Sequence, residues 1–319
     1  MRLSRRVKII GRVALALLVL TIGWIAFRIL THGIPALLRA DVSSPAARLH
    51  YGRASSQMLD VRVPAGRGPF PVVVLIHGGC WNTEYGSPAH MAPLAEALLR
   101  RGVATVNIAY RRVGEPGGGW PGTFRDVGAA VDAVRTLAPR FAIDPQRLIV
   151  AGHSAGALLA LWTATRDKLA ATSDLYAGRP VMPRAVVAID GPGALAPFIG
   201  RDADVCGAPA IVPLMGGTPR QVPRRYADAT PQDHLPLGVP QYLVRGGLEL
   251  PGDDYVTAVR RSGDGVTFVR PSSRATHFDV LMPWQEQGKP TLDLIMRAIA
   301  TTSEMRTVER SLKGGGPAK

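Results

Sequence analysis

A glycine-flanked serine is the first feature of this sequence that could do chemistry. Residues 152–156 read Gly-His-Ser-Ala-Gly, a G-x-S-x-G pattern centred on Ser154. The apolar run before Gly152 predicts a buried strand, and the small residues from Ala155 onward predict a helix. A sharp turn between the two lifts the serine hydroxyl above the sheet edge, where it can act as a nucleophile. A serine in an ordinary glycine turn is the alternative interpretation.

A nucleophilic serine needs a base, and the chain offers seven histidines. His277 follows the last predicted strand, where the loops of an α/β sheet carry catalytic groups, and we predict it as the base. His153 lies beside the serine and points the wrong way to deprotonate it. The alternatives are that His234 takes the role or that His277 is a surface residue.

A second glycine-rich segment, residues 77–81, follows an apolar run and reads His-Gly-Gly-Cys-Trp. Acyl transfer needs backbone N–H groups that stabilise an oxyanion, and glycines let the backbone approach a substrate closely. We therefore predict that this loop faces the serine turn, with a generic glycine turn as the alternative. Trp81, Tyr110 and Trp120 are candidates for lining an acyl pocket, although aromatic residues at strand ends more often serve packing.

Composition and the remaining motifs exclude several other functions. Of the net charge of +14, half comes from residues 1–40, which hold seven basic side chains and no acidic one. No basic run alternates with aromatic residues, so a solvated basic surface is favoured over nucleic-acid binding. A G-x-G-x-x-G match at 117–122 contains Pro121 and does not directly follow a strand, which argues against a dinucleotide site. Cys80 and Cys206 cannot form a CxxC motif or a four-cysteine zinc site.

The elements that must position these residues alternate along the chain. Short apolar runs at 72–76, 148–150 and 186–189 are typical of strands buried on both faces. Residues 124–137 and 155–165 have the spacing or composition of helices. This alternation predicts an α/β fold, with a mostly parallel central sheet and helices on both of its faces.

The same patterns divide the chain into segments. Residues 1–31 are predicted as an N-terminal transmembrane helix, 32–56 as a linker and 57–302 as the main domain. Within that domain, the Gly- and Pro-rich stretch at about 191–236 loses the alternation and is predicted as a short cap over the sheet. Residues 303–319 are predicted as a flexible basic tail.

The N-terminal prediction rests on an uncharged apolar run, Val13–Phe27, that follows five basic residues. Such a run is typical of a signal anchor with the basic end in the cytoplasm and the domain outside. A cleaved signal peptide and a cytosolic protein are the alternatives. An outside location is oxidising, so a Cys80–Cys206 disulfide becomes possible, with two free buried cysteines as the alternative.

The two glycine motifs carry a resemblance over about residues 58–300. The chain resembles α/β-hydrolases of the esterase, lipase and prolyl-oligopeptidase-like group, and is similar within it to bacterial carboxylesterases and arylformamidase-like enzymes. The resemblance implies Ser154 as nucleophile, His277 as base, and oxyanion donors at the N–H groups of Gly79, Cys80 and Ala155. It also implies that neither a metal nor a cofactor takes part.

The acid of the implied triad is the member that the sequence specifies least. It should follow a late strand and precede His277, and Glu249, Asp253 and Asp254 satisfy that order. We predict Glu249, because it lies three residues beyond Gly246, the spacing at which the resembling family places its Asp. Asp253 and Asp254 fall where a helix begins, which is a sufficient structural reason for an acidic residue.

The predicted activity is hydrolysis of an ester or related acyl bond through an acyl-serine. Amide, formamide or peptide hydrolysis and acyl transfer are alternatives that use the same triad. A non-catalytic binding module on the same fold is a further alternative, but it has no need for nucleophile, oxyanion donors and base together.

Overall fold

One sheet organises the part of the chain that the computed structural model describes, residues 14–15, 17–22 and 33–314. Its eight strands are β1 (Ala47–His50), β2 (Met58–Arg62), β3 (Phe70–Ile76), β4 (Ala104–Ile108), β5 (Ile143–His153), β6 (Ala185–Ile189), β7 (Gln241–Val244) and β8 (Val266–Val269). They lie side by side in the order β1-β2-β4-β3-β5-β6-β7-β8. Strands β3 to β8 pair in parallel, whereas β1 and β2 are antiparallel to their neighbours. The sheet is therefore mostly parallel, as the alternating pattern predicts.

Helices connect the parallel strands and cover both faces of the sheet. In chain order they are α1 (Ile34–Leu38), α2 (Ala92–Arg100), α3 (Gly122–Asp132), α4 (Val134–Arg140), α5 (Ala155–Thr163), α6 (Arg201–Cys206), α7 (Ile211–Met215), α8 (Pro223–Ala229), α9 (Asp253–Ser262) and α10 (Lys289–Gly314). Within the described residues, four single-turn 3₁₀ helices lie at Pro88–Met91, Ala196–Phe198, Pro231–His234 and Asp279–Leu281.

Strand β3 shows why the central strands read as continuous apolar runs. Val72 and Val74 point into the core on one face of the sheet, and Val73 and Leu75 point into the core on the other. All four side chains are fully buried, and each such burial stabilises the fold by about 1.5–3 kcal/mol. With both faces covered, the alternation of apolar and polar residues that marks a half-exposed strand disappears.

The structure differs from the predicted segment boundaries at both ends of the domain. The stretch predicted as a linker, 32–56, contains α1 and also β1, which pairs antiparallel with β2 and adds an edge to the sheet. The stretch predicted as a flexible tail, 303–319, is the continuation of α10 as far as Gly314. The cap predicted at 191–236 lies between β6 and β7 and holds the three short helices α6, α7 and α8.

The predicted membrane anchor falls largely outside the described residues. Among those that are described, no helix combines the length and the apolar character needed to cross a bilayer. Within 14–22, the large apolar side chains that are described are each more than half exposed: Leu15, Leu17, Leu18, Val19, Leu20 and Ile22.

Candidate active site

The serine turn joins β5 directly to α5. Ser154 has φ 56° and ψ −121°, a conformation that residues with a side chain rarely adopt. Its N–H donates a hydrogen bond to the carbonyl of Ile189 at 2.8 Å, which fixes the turn against β6. Gly156 packs so tightly here that a Cβ on it would lie 2.3 Å from the carbonyl oxygen of Ile76. No residue with a side chain therefore fits at position 156. The turn raises Ser154 at the carboxyl edge of the sheet.

His277 lies in the loop between β8 and α10. Its Nδ1 is 2.8 Å from Oδ2 of Asp190, and its side chain is 19% exposed. Because a carboxylate only accepts hydrogen bonds, Nδ1 carries the proton and Nε2 is left free to accept one. This is the tautomer that a general base needs.

Asp190 directly follows β6, with a φ of 47° and no exposed surface. Besides His277, its carboxylate accepts hydrogen bonds from the backbone N–H of Leu248 at 3.1 Å and of Leu250 at 3.4 Å. A buried carboxylate is costly unless it is hydrogen-bonded, and these donors come from the loop after the neighbouring strand, β7. The loop after β7 thus orients the carboxylate without supplying it.

The structure corrects the predicted acid. Glu249 points to solvent, with its side chain 57% exposed and paired with Arg270. Asp253 is paired with Arg245 at 2.6 Å, and both Asp253 and Asp254 lie exposed in the first turn of α9. The signal for Asp190 was its position immediately after a buried strand, between the serine and the histidine in chain order.

The glycine-rich loop after β3 does face the serine turn. A Cβ on Gly78 would lie 2.8 Å from the Cβ of Ser154, so the two segments touch. Gly79 and Cys80 line the same cavity as Ser154, with φ values of 110° and 52°. Ala155 begins α5, where N–H groups have no acceptor within the helix. The three predicted donor residues are therefore brought beside the serine.

Ser154 and His277 open into one cavity of about 170 Å³. Its remaining lining is glycine backbone, histidine and apolar side chains, contributed by Ile34, Gly78, Gly79, Cys80, Tyr85, Gly86, His90, His153, Val205, Cys206 and Phe278. No cluster of His, Cys, Asp or Glu with the arrangement of a metal site occurs among the described residues.

The three predicted pocket aromatics do not line this cavity. Trp81 is 2% exposed and packs in the core. Tyr110 is fully buried, stacks on His77 and donates to the carbonyl of His77 at 2.8 Å. Trp120 packs against Phe124. All three side chains therefore serve packing, which is the alternative that the sequence left open.

Two buried histidines support the site as neutral groups. His153 Nε2 donates to the carbonyl of His277 at 2.8 Å, so the residue beside Ser154 holds the loop that carries His277. Burial, reinforced by the nearby His277, keeps the pKa of His153 well below its usual value. Burial likewise lowers the pKa of His77 to about 3.

Cys80 and Cys206 form a disulfide, with their Cα atoms 6.1 Å apart. The sequence left open a disulfide or two free buried cysteines, and the structure has the disulfide. The disulfide joins the glycine-rich loop to the end of α6 in the cap, 126 residues away in sequence.

A serine raised on a strand-to-helix turn, at the edge of a mostly parallel sheet and beside a histidine loop, places this chain among the α/β hydrolases. The chain belongs to the BD-FAE family, an esterase family of that fold, whose model matches residues 59–249.

Individual relatives agree with the family. Esterase LipC from Mycobacterium tuberculosis is 28% identical over 254 residues, which cover 77% of this chain and 60% of LipC. A probable isoprenylcysteine alpha-carbonyl methylesterase, ICMEL1 from Arabidopsis thaliana, is 30% identical over 114 residues, covering 35% of this chain and 23% of that protein. The chain thus spans less than two thirds of the length of these relatives.

Solved structures share the fold at low identity. Esterase B from Lactobacillus rhamnosis has a TM-score of 0.70 at 19% identity, with coverage of 94% of this chain and 98% of that one. A truncated carbohydrate esterase from gut microbiota has a TM-score of 0.66 at 20% identity, with coverage of 81% and 97%.

Proposed function

We propose that this protein is a serine hydrolase that cleaves carboxylic esters through an acyl-serine intermediate. The observation that carries the proposal is the hydrogen bond from His277 to the buried Asp190, at a cavity that also contains Ser154. Membership of an esterase family and the similarity to esterase LipC support the ester as substrate.

The residues act in a defined order in this mechanism. His277 Nε2 takes the proton of the Ser154 hydroxyl as the serine oxygen attacks the ester carbonyl, and Asp190 stabilises the imidazolium that forms. The resulting oxyanion accepts hydrogen bonds from the N–H groups of Gly79, Cys80 and Ala155. The imidazolium then protonates the departing alcohol, which leaves the acyl group on the serine. A water molecule repeats these steps, releasing the carboxylic acid and the free serine.

The cavity favours a short acyl group. At about 170 Å³ it is small, and apolar side chains such as Val205 and Phe278 line it. Among p-nitrophenyl esters, we expect acetate to butyrate to be cleaved faster than longer esters. An enzyme that prefers long acyl chains would contradict this part of the proposal.

The direct test is the Ser154→Ala variant. It should lose hydrolysis of p-nitrophenyl acetate and labelling by a fluorophosphonate, with a melting temperature close to wild type, because removal of the nucleophile costs roughly 10⁶-fold in turnover in comparable triads. Ser44→Ala, which changes an exposed serine remote in sequence, should label and hydrolyse as wild type does.

The same experiment separates the alternative activities. Wild-type protein that never reacts with the fluorophosphonate would favour a binding module. Protein that labels at Ser154, but cleaves an anilide or a formamide faster than the matching ester, would move the proposal to amide chemistry.

We further propose that the domain acts outside the cytoplasm. The Cys80–Cys206 disulfide supports this, because such bonds persist in oxidising compartments, and so does the basic segment ahead of the apolar run. A reporter that is active only outside the cytoplasm, fused after Lys319, should be active. An inactive reporter on a stable fusion would contradict the proposal, and sequencing the N-terminus of the membrane and soluble fractions would distinguish an anchor from a cleaved signal.

A further inference from the structure

The loop that supplies two of the proposed oxyanion donors has an unfavourable backbone conformation. Gly79, Cys80 and Trp81 are three successive residues with positive φ, at 110°, 52° and 53°. Glycine adopts such angles freely, but cysteine and tryptophan do not, since their Cβ atoms crowd the backbone. Contacts outside these residues must therefore hold the loop in place.

Hydrogen bonds secure the loop on both sides of Cys80. The carbonyl of Gly79 accepts from the N–H of Asn82 at 2.9 Å, and the carbonyl of Trp81 accepts from the N–H of Val113 at 2.8 Å. Cys80 itself is held through its side chain, by the disulfide to Cys206.

The far end of the disulfide lies in a part of the cap that is anchored by hydrogen bonds. Asp202 in α6 is buried, and its carboxylate accepts the backbone N–H groups of Gly200, Ala210 and Ile211, each at 2.8 Å. These bonds tie α6 to α7. Helix α7 is in turn joined to the main body, because the carbonyl of Leu214 accepts from the N–H of Trp120 at 2.7 Å.

We propose that the Cys80–Cys206 disulfide is a positioning element for the oxyanion site, and that breaking it slows the acylation of Ser154 without weakening the binding of the substrate. Both cysteines line the cavity beside Ser154, and neither is fully buried, so a small reductant can reach the bond. The inference rests on the proposed function, because it concerns the same serine and the same oxyanion.

The consequence is a dependence of the rate on the redox state. A dithiol such as dithiothreitol passes two hydrogen atoms to the disulfide, is itself oxidised to its cyclic disulfide, and leaves Cys80 and Cys206 as thiols. The unfavourable φ of Cys80 then loses its covalent support, and the N–H groups of the loop no longer stay aimed at the oxyanion. A mild oxidant reverses the change.

The test compares oxidised wild type, reduced wild type and Cys206→Ser in the full chain, with p-nitrophenyl acetate as substrate. Reduction and Cys206→Ser should each lower kcat by at least about tenfold while KM changes by less than about threefold. The reason is that misplaced donors stabilise the transition state less but leave the binding of the substrate unchanged. Reoxidation should restore wild-type kcat. Cys206→Ser treated with the same dithiol is the control and should not change further.

A pair of inhibitors separates positioning from general loosening of the cap. A short trifluoromethyl ketone forms a tetrahedral adduct with the serine and needs the oxyanion donors, whereas the matching methyl ketone binds chiefly as a substrate-like ground state. Loss of the disulfide should weaken binding of the trifluoromethyl ketone by about the same factor as it lowers kcat, and should change binding of the methyl ketone by less than about threefold.

Two outcomes would overturn the inference: reduced, still-folded protein with unchanged kcat, or a loss confined to KM with both ketones weakened equally. If the proposed function itself is wrong, the experiment gives a different result, because oxidised wild type would then show no hydrolysis that depends on Ser154.

Discussion

Two neighbouring loops at the carboxyl edge of the sheet each present a carboxylate on a residue with positive φ, Asp190 after β6 and Glu249 after β7. Asp190 has no exposed surface and accepts hydrogen bonds from two backbone N–H groups and from His277. Glu249 is 57% exposed and pairs with Arg270, which is itself 46% exposed.

The difference between the two loops shows what a carboxylate needs in order to orient a histidine. In a buried site the hydrogen bonds are strong and the carboxylate has one position, whereas an exposed ion pair is screened by water and contributes about 0–1 kcal/mol. The loop after β7 contributes to the site through its backbone, by the N–H groups of Leu248 and Leu250, while its own acidic side chain faces away.

The largest expected effect is that of Asp190→Asn. The amide keeps the size of the side chain but favours the wrong tautomer of His277, which in a comparable triad lowers kcat by about 10⁴-fold. Turnover of p-nitrophenyl acetate measures the loss. Asp254→Asn, in an exposed position on α9, is the matched control and should keep wild-type kcat. Full activity in Asp190→Asn would remove this residue from the mechanism.

A methyl group pushed against the same carboxylate should have the next largest effect. In Gly246→Ala the new Cβ would lie 2.7 Å from Oδ2 of Asp190 and 2.9 Å from the carbonyl oxygen of Thr276, so the contact to His277 must shift. We expect kcat to fall by about tenfold to a hundredfold, as displacement of a catalytic group does. In Gly265→Ala the Cβ meets no atom within 4 Å, and kcat should not change. Equal kcat in the two variants would show that the position of Asp190 is not critical.

Burial of His153 should also make the stability of the folded protein sensitive to acid. Because His153 binds a proton much less readily when folded, the unfolded chain takes up more protons below about pH 6.5, and the free energy of unfolding falls as the pH is lowered. The contribution of His153 is present above that pH and is lost progressively as the pH falls below it.

Urea unfolding of His153→Gln between pH 7 and pH 5 measures this contribution. The glutamine can still donate to the carbonyl of His277 but does not titrate, so the free energy of unfolding should decline less steeply with falling pH than in wild type. Glu249→Gln, on the exposed loop, should leave the wild-type slope in this range. Identical slopes for wild type and His153→Gln would contradict the assignment of His153 as a neutral, buried support.

The smallest effect is expected at Glu249, the residue that the sequence predicted as the acid. Glu249→Gln removes one exposed ion pair with Arg270, so kcat should stay within about twofold and the free energy of unfolding within about 1 kcal/mol of wild type. Kinetics with p-nitrophenyl acetate and urea titration at pH 7 measure both. A loss of kcat comparable to that of Asp190→Asn would return Glu249 to the triad.

Local chemistry made several features predictable. The strand-to-helix turn at Ser154 follows from an apolar strand, two glycines and a small-residue helix, and the structure has that turn between β5 and α5. The close approach of the 77–81 loop to the serine turn was predictable because its glycines carry no side chain that would keep the two backbones apart. The central strands were predictable because burial on both faces removes polar residues from them. The edge strand β1 was missed because it is not a continuous apolar run: its four residues alternate between half-buried and exposed.

The sequence by itself determined the order of the central strands and helices and marked the serine turn and the histidine loop as candidates, because each depends on the conformational and burial preferences of adjacent residues. Only the tertiary structure decided which carboxylate faces His277, that the three predicted pocket aromatics pack in or against the core, and that Cys80 meets Cys206. These choices depend on which strand ends are neighbours in the sheet and on which side chains find buried hydrogen-bond donors. Asp190 and Leu248 are 58 residues apart in the chain, and only the pairing of β6 with β7 brings them into contact.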